Sequence, residues 1–519
     1  MKKAYPLILF GILFLYSAST CRTGSTGGSG TFTVAGGGSV EIPDPLTAVG
    51  LPQQRICREL FEGLVCCDPG TSDAVPGIAE SWSVSPDGRT FTFALRESTW
   101  SDGVPVTART FAGSWLRVLN PENSSPNARV LSALIKGAAA YASGTGFPDD
   151  VAVRTDGDYV LRFESTVDPG ETVQALLQTA FLPVPLHIIE NAGPEWRDEG
   201  YFTGNGPFLP EQVISGDRIV LVPNPRYWDA DSVKVPRVVF LSDDDSDQDL
   251  YDSGTADWIP SGPAQILTEG LDDLVSAASA GVFYIAFNTK MPPFDDVLVR
   301  KAFSSAVDRS ELAELLTGSW EVPAFGVIPV NGNSSGNPAF DSGKAGEIFN
   351  RAKDRAETSE CSLAYSVSPR NDTIAGFLRD SWNELPGIIC VTEALGWQQY
   401  LRASENGSYH MIQSMQASGY WEPSLFLKSF VTSASGNYGR YSNVRFDALV
   451  GKAALLEHGK KRTNILKEAE RILIGEDQAV IPLFFYASVN RIDLDAWDGW
   501  YPNVADIHPL KYIKRSRSH

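Results

Sequence analysis

The sequence predicts a mixed α/β protein of about three domains carried behind an export leader. Three observations lead there. Its 519 residues are 43% hydrophobic and 11% aromatic, an ordinary globular balance with enough apolar mass for large cores. Strand-like runs alternate with amphipathic helices after residue 30, and no period of 20–50 residues signals a repeat array. Finally, the apolar runs CSLAYSV (from Cys361) and GIICVTEA (containing Cys390) flank NDTIAGFLRDSWNEL, where Ile374, Leu378, Trp382 and Leu385 share a helical face. That is a βαβ unit with parallel, adjacent strands.

The chain opens with MKKAYPLILFGILFLYSAST: two lysines, an apolar run from Ala4 to Tyr16, then small residues. The run is shorter than the roughly 20 residues of a spanning helix, so residues 1–20 read as a signal peptide. Cys21 follows, and the stretch before it resembles a bacterial lipobox, with Ala18 and Thr20 as departures from the usual pattern. Residues 21–30 then read as a lipidated Cys21 and a Gly/Ser-rich tether. No later segment of the sequence is long and apolar enough to span a bilayer.

Beyond the tether, QRICRELFEGLV places Ile56, Leu60 and Leu64 at four-residue spacing, an amphipathic helix. RTFTFALRE alternates as a strand after an Asp87-Gly88 turn. TARTFAGSWLRVLN carries a Thr107 N-cap, buries Phe111, Trp115 and Leu119, and stops at Asn120-Pro121. Further helices follow Asp296, with Ala302, Phe303 and Ala306 inward, and occupy about 460–475.

The formal net charge of −20 becomes −22 once Lys2 and Lys3 leave with the leader. Such a surface excludes phosphate-backbone binding, which needs clustered Lys and Arg, so no nucleic-acid partner is expected. Metal and nucleotide motifs are absent: there is no HExxH, GxxxxGK[ST] or CxxC, and the five histidines are scattered. Neither a metal, a cofactor nor catalysis is indicated. The acidic run SDDDSDQD (242–249) has EF-hand-like alternation, but Gln248 and Gly254 stand where Gly and Glu are required. A solvated loop explains it better. Cys57, Cys66, Cys67, Cys361 and Cys390 allow at most two disulfides; a Cys361–Cys390 bridge and buried free thiols both remain open.

Several segments resemble the family 5 extracellular solute-binding proteins of bacterial ABC importers, the oligopeptide- and dipeptide-binding group. PGIAESWSVSPDGRTFTFALRESTWSDGVPVTARTF (76–111) follows that family's signature closely. RELFEGLV, GNGPFLPEQVISGDRIVLVPNPRYWD (204–229), PPFDDVLVRKAFSSAVDRSEL (292–312) and AERILIGEDQAVIPLFFY (469–486) match in family order. The resemblance spans 31–519. It implies a periplasmic-binding-protein-like fold of the cluster C type: two lobes joined by two hinge strands, near AGVFYIAF and PLFFYASV, plus an inserted third domain. Carried over, lobe I is 31–54 with 182–281 and 487–519, the inserted domain is 55–181, and lobe II is 282–486.

The same resemblance implies a lipid-anchored, monomeric protein on the periplasmic side of the membrane. It would deliver an oligopeptide or other small solute to an ABC permease and its ATPase. The expected ligand-binding residues are Val49, Gly50, Leu51, Asn127, Trp397, Ala417, Ser418, Gly419, Tyr420, Trp421, Asn437 and Tyr438. In peptide-binding members an Asp before the Tyr of the MQASGYWEPS segment accepts the ligand's α-ammonium, whereas this chain has Gly419 and no acidic residue between His410 and Tyr420. Val49 stands where peptide binders can carry a Glu, and Asn127 where they have a pocket Tyr. A buried ammonium without a carboxylate costs on the order of 3–5 kcal/mol. The expected pocket therefore suits stacking and backbone hydrogen bonds, and an N-blocked peptide, a metal chelate or another small organic solute rivals a free peptide. Core packing competes for the aromatics, and Glu422 before Pro423 reads as a helix start. A surface adhesin or receptor reusing the fold is the rival from another class; it would show no small-molecule thermal shift.

Overall fold

The computed structural model describes residues 30–516, apart from 37–39, 199, 243–246, 262–272, 318–320, 330–339 and 353–359. The leader, Cys21 and the tether up to residue 29 lie outside the described residues, as do 243–246 of the acidic run. The end of that run falls in a short helix, Asp247–Asp252.

Alternating apolar runs assemble into one eleven-stranded sheet. From one edge it runs Ile389–Leu395, Glu360–Ser366, Met411–Ala417, Leu274–Phe287, Val480–Ile492, Trp258–Ser261, Thr31–Val34, Arg237–Leu241, Arg218–Pro223 and Phe208–Ile214, with Val322–Pro323 pairing beside Val480–Ile492. The two longest strands, Leu274–Phe287 and Val480–Ile492, pair antiparallel from Leu274 opposite Arg491 to Ala286 opposite Val480. They join the two halves of the sheet and are the hinge. Their register breaks between Ala278 and Val282, opposite Ala487 and Phe485. A bulge there bends the pair where one half gives way to the other.

A second, four-stranded antiparallel sheet, in the order Ala79–Val84, Thr90–Leu95, Val160–Glu164, Val153–Thr155, forms the inserted domain. Phe91, Phe93 and Phe163 stack across its strands, with Trp115 of helix Ala108–Leu119 edge-on to Phe163. The buried residues form one continuous core through the first lobe and the inserted domain, from Phe32 to Ile513. Two further cores hold the second lobe. The first lobe and inserted domain thus share apolar packing, while the second lobe has cores of its own.

Local expectations meet the structure in most places. Glu360–Ser366 and Ile389–Leu395 are parallel neighbours, joined through helix Pro369–Asn383, with Cys361 directly opposite Cys390. Asp296 caps helix Val297–Ser305 by accepting from the Leu298 N–H. Two boundaries shift. The first helix spans Leu51–Leu60, starting earlier than its apolar spacing indicated because Pro52 suits a first turn. Leu64 lies beyond that helix, in the bend before strand Val65–Cys67, and is buried.

Candidate ligand-binding cleft

Parallel strands place their carboxyl ends along one rim, and open α/β sheets take ligands there. Here the rim of the second lobe carries the ends of Glu360–Ser366, Ile389–Leu395 and Met411–Ala417. The loop after Met411–Ala417 is tied to the hinge, since the Ser418 N–H donates to the Ala280 carbonyl at 2.9 Å. The hinge itself is tight: a Cβ on Gly281 would stand 2.7 Å from the Tyr486 ring. Between this loop, the hinge bulge and the first turn of Leu51–Leu60 lies a cavity of about 860 Å³.

Five of the residues expected from sequence lie on its wall: Leu51, Ala417, Ser418, Gly419 and Tyr420. Gly419 faces open space, for only Gln178 Oε1, at 3.8 Å, comes within 4 Å of where its Cβ would be. The others are placed differently. Val49 is exposed and Gly50 takes φ +81°, both just ahead of Leu51. Asn127 is not on the wall: its amide donates to the Pro45 and Ala48 carbonyls at 2.9 and 3.0 Å, bracing the loop that leads to Val49. Asn437 likewise closes its own turn, donating to the Val431 and Tyr441 carbonyls and accepting from the Tyr441 N–H. Tyr438 accepts the Tyr409 hydroxyl on its carbonyl. Trp421 is buried against Phe426, as core packing. Trp397 starts the helix after Ile389–Leu395, stacks on Tyr400 with centroids 5.6 Å apart, and remains 60% exposed.

Sequence reasoning missed the other side of the cavity. Arg55 extends into it from the first helix, and Asp506 from the C-terminal segment; Nη2 and Oδ2 lie 3.0 Å apart. Burial opposes the charge on Asp506, yet His508 and Arg55 outweigh it and hold the carboxyl at about 2. Asn490 also donates to Asp506 Oδ1 at 3.0 Å. This pair is self-neutralising. Tyr486 and Ile259 add apolar wall from the second hinge strand and its neighbour. The position of Tyr486 in PLFFYASV was the one available signal; 451 residues separate Arg55 from Asp506, and no local pattern links them.

Beneath the cleft loop lies a polar seam between the inserted domain and the second lobe. Tyr420 donates its hydroxyl to Glu171 Oε1 at 2.9 Å. Lys428 bridges Asp168 and Glu171 at 2.6 and 2.5 Å. Gln174 donates to the Trp421 carbonyl at 3.0 Å. Glu422 is fully buried: it caps helix Pro423–Lys428 through the Ser424 N–H and pairs with Arg462 at 2.6 Å and His458 at 3.1 Å. Against the effect of burial, His458 and Arg462 hold the Glu422 carboxyl down at about 2, while Asp73 and Glu422 raise His458 to about 9. Among the described residues, no cluster of three or more His, Cys, Asp or Glu is placed to hold a metal ion, and no helix is long and apolar enough to cross a membrane.

A hinged pair of lobes with an open, largely apolar cavity between them defines a solute-binding protein. Residues 73–438 match the bacterial extracellular solute-binding proteins, family 5 (middle), and the chain belongs to that family. It is 30% identical over 477 residues to the periplasmic murein peptide-binding protein MppA of Escherichia coli K12, covering 88% of each chain. With the probable deoxycholate-binding periplasmic protein YgiS of the same organism it shares 28% identity, covering 83% of each. In three dimensions it resembles MppA in its unliganded open form, with a TM-score of 0.84 at 28% identity over 94% of this chain and 98% of that one. Another structure of the E. coli MppA protein scores 0.57 at 27% identity over 94% and 98%. Identity is nearly equal in the two, and the present structure is the more similar to the unliganded open form.

Proposed function

We propose that this protein captures a peptide-class solute between its lobes and delivers it to the permease and ATPase of an ABC importer, without chemistry of its own. The observation that carries the reading is the 860 Å³ cavity at the hinge, walled by both lobes, in an arrangement like that of an unliganded open relative. The relatives are periplasmic, which supports an exported location on the periplasmic side, with the leader removed and Cys21 lipidated as a membrane anchor. The domain limits read from the sequence, with the inserted domain at 55–181 and the second lobe at 282–486, belong to this proposal, as does a monomeric state.

Gly419 favours a second reading of the ligand. No carboxylate occupies the position beside Tyr420, and the Arg55–Asp506 pair satisfies its own charges; Asp247, from the end of the acidic run, is the other carboxylate on the wall, so a solute without an ammonium group at the Gly419 side suits the cavity. N-blocked peptides and apolar organic acids fall in this group. Relatives named for a murein peptide and for deoxycholate span both ranges.

Native mass spectrometry of the purified protein, followed by denaturation, identifies what co-purifies. Calorimetry then compares a free tripeptide with its N-acetyl form. Binding of either supports capture in the cleft, and preference for the acetylated form supports the second reading. Failure of every small solute, together with unchanged surface adhesion after cleft substitution, favours an adhesin and overturns the proposal.

A further inference from the structure

Two cysteines of the second lobe face one another across the sheet. Cys361 and Cys390 are in-register partners on neighbouring parallel strands, so their side chains emerge on the same face. Adjacent strands lie about 4.8 Å apart, within the Cα separation of about 4.4–6.8 Å that a disulfide spans. Both are free thiols in this structure, each residue is only 2% exposed, and the neighbouring Cys390 together with burial pushes the Cys361 thiol up. The remaining described cysteines belong elsewhere. Cys57 sits in the core shared by the first lobe and the inserted domain, Cys67 donates to the Asp68 carbonyl, and Cys66 lies 3.7 Å from Lys511 Nζ.

We infer that Cys361 and Cys390 are joined by a disulfide in the exported protein, fastening the edge strand of the sheet to its neighbour. Ile389–Leu395 is that edge, with a ladder on one side only. It leads directly into Gly396 and Trp397 at the cleft rim, so the bond fixes the base of a rim element. The loop it closes contains the whole crossover helix Pro369–Asn383, and this constrains the unfolded chain. The oxidant is a protein or small-molecule disulfide. One cysteine thiolate attacks it, forming a mixed disulfide and releasing one thiol. The second thiolate attacks the mixed disulfide at the cysteine sulfur and releases the other thiol, so two electrons pass to the oxidant and both cysteine protons are lost to it or to solvent. Because both thiols are buried, this exchange takes place while the edge strand is still forming. The inference rests on the exported location proposed above.

The test uses the full chain in two preparations: one secreted through its own leader and quenched with N-ethylmaleimide, the other refolded from reduced protein with oxidised glutathione. Trypsin releases 356–370 and 380–402, each with a single cysteine. The expected result is a linked pair of these peptides, two hydrogens lighter than their sum and separated by reductant, while Cys57, Cys66 and Cys67 carry the alkyl label. Absence of the link after refolding overturns the pairing. Its presence after refolding but absence from the secreted sample overturns the oxidised exported state while leaving the cleft reading intact. Reductant is expected to lower the Tm of the wild type by about 5 °C. The Cys361→Ala, Cys390→Ala double variant is expected to show no reductant effect; a Tm drop of equal size in that variant would overturn the assignment.

Discussion

At Gly419 an aspartate fits without displacing backbone, because open space surrounds its Cβ position and Gln178 Oε1 is the nearest neighbour. Gly419→Asp is therefore expected to raise affinity for peptides with a free α-amine about tenfold, a gain of ~1.4 kcal/mol, while leaving N-acetyl peptides unaffected. Calorimetry with both ligands checks it, and equal affinities before and after the change would refute the charge argument. A second prediction concerns pH. Glu422, held at about 2, contributes stability above the ordinary carboxylate value of 4.5 and loses it as pH falls toward 2. His458, raised to about 9, contributes fully below 6.5 and loses its share as pH rises through 9. Thermal melts should show a decline between pH 6.5 and 9 that is shallower in His458→Gln. An identical slope in both proteins would show that the imidazolium does not stabilise the seam.

At the scale of elements, helix Pro169–Ala175 is the wedge of that seam, with all seven residues buried. Lys428 answers two carboxylates there, Glu171 of the helix and Asp168 just before it. Lys428→Met leaves those two negative charges close together and without their cation, and is expected to lower stability by about 1–3 kcal/mol in urea denaturation. The double variant with Glu171→Gln should recover part of that loss, which a purely steric defect would not do. Helix Val444–Ala454 gives a cleaner case. Asn443 accepts from the Arg445 and Phe446 N–H groups at 2.9 and 3.2 Å, so Asn443→Ala should cost about 1 kcal/mol in the same assay.

At the scale of the whole molecule, two continuous strands with a bulge at Ser279–Gly281 hold lobes that stand as in an open relative. Open lobes leave apolar groups uncovered on both sides: Leu51 at 50% exposure in one and Met415 at 48% in the other, both on the cavity wall. Closure over a solute buries them, and the differential contacts of the closed state supply its free energy. Small-angle scattering should therefore record a smaller radius of gyration with a binding solute than without. Trp397→Ala should weaken binding without altering the melt of the free protein, since its ring stacks on Tyr400 and is largely exposed. An unchanged affinity would place Trp397 outside the closed site.

Much of this architecture was legible in the sequence because its signals are local. The Asp296 cap, the βαβ unit with Cys361 opposite Cys390, and the Asp87-Gly88 turn each lie within a few residues or one crossover. Ala417 to Tyr420 were readable as cleft residues only through the resemblance of their segment to the family, and all four lie on the cavity wall. Asn127 and Asn437 were not readable in their actual roles, since nothing nearby in the chain reveals which carbonyls their amides reach. The sequence by itself determined the α/β class, the hinge strands and the absence of an acid at 419. Tertiary structure alone decided that Asp506 meets Arg55, that Tyr420 turns its hydroxyl to Glu171, and that Glu422 is buried with Arg462 and His458. Periodicity specifies which face of an element is buried. Which charge finds which partner depends on how distant segments pack, and that is settled only when the cores close.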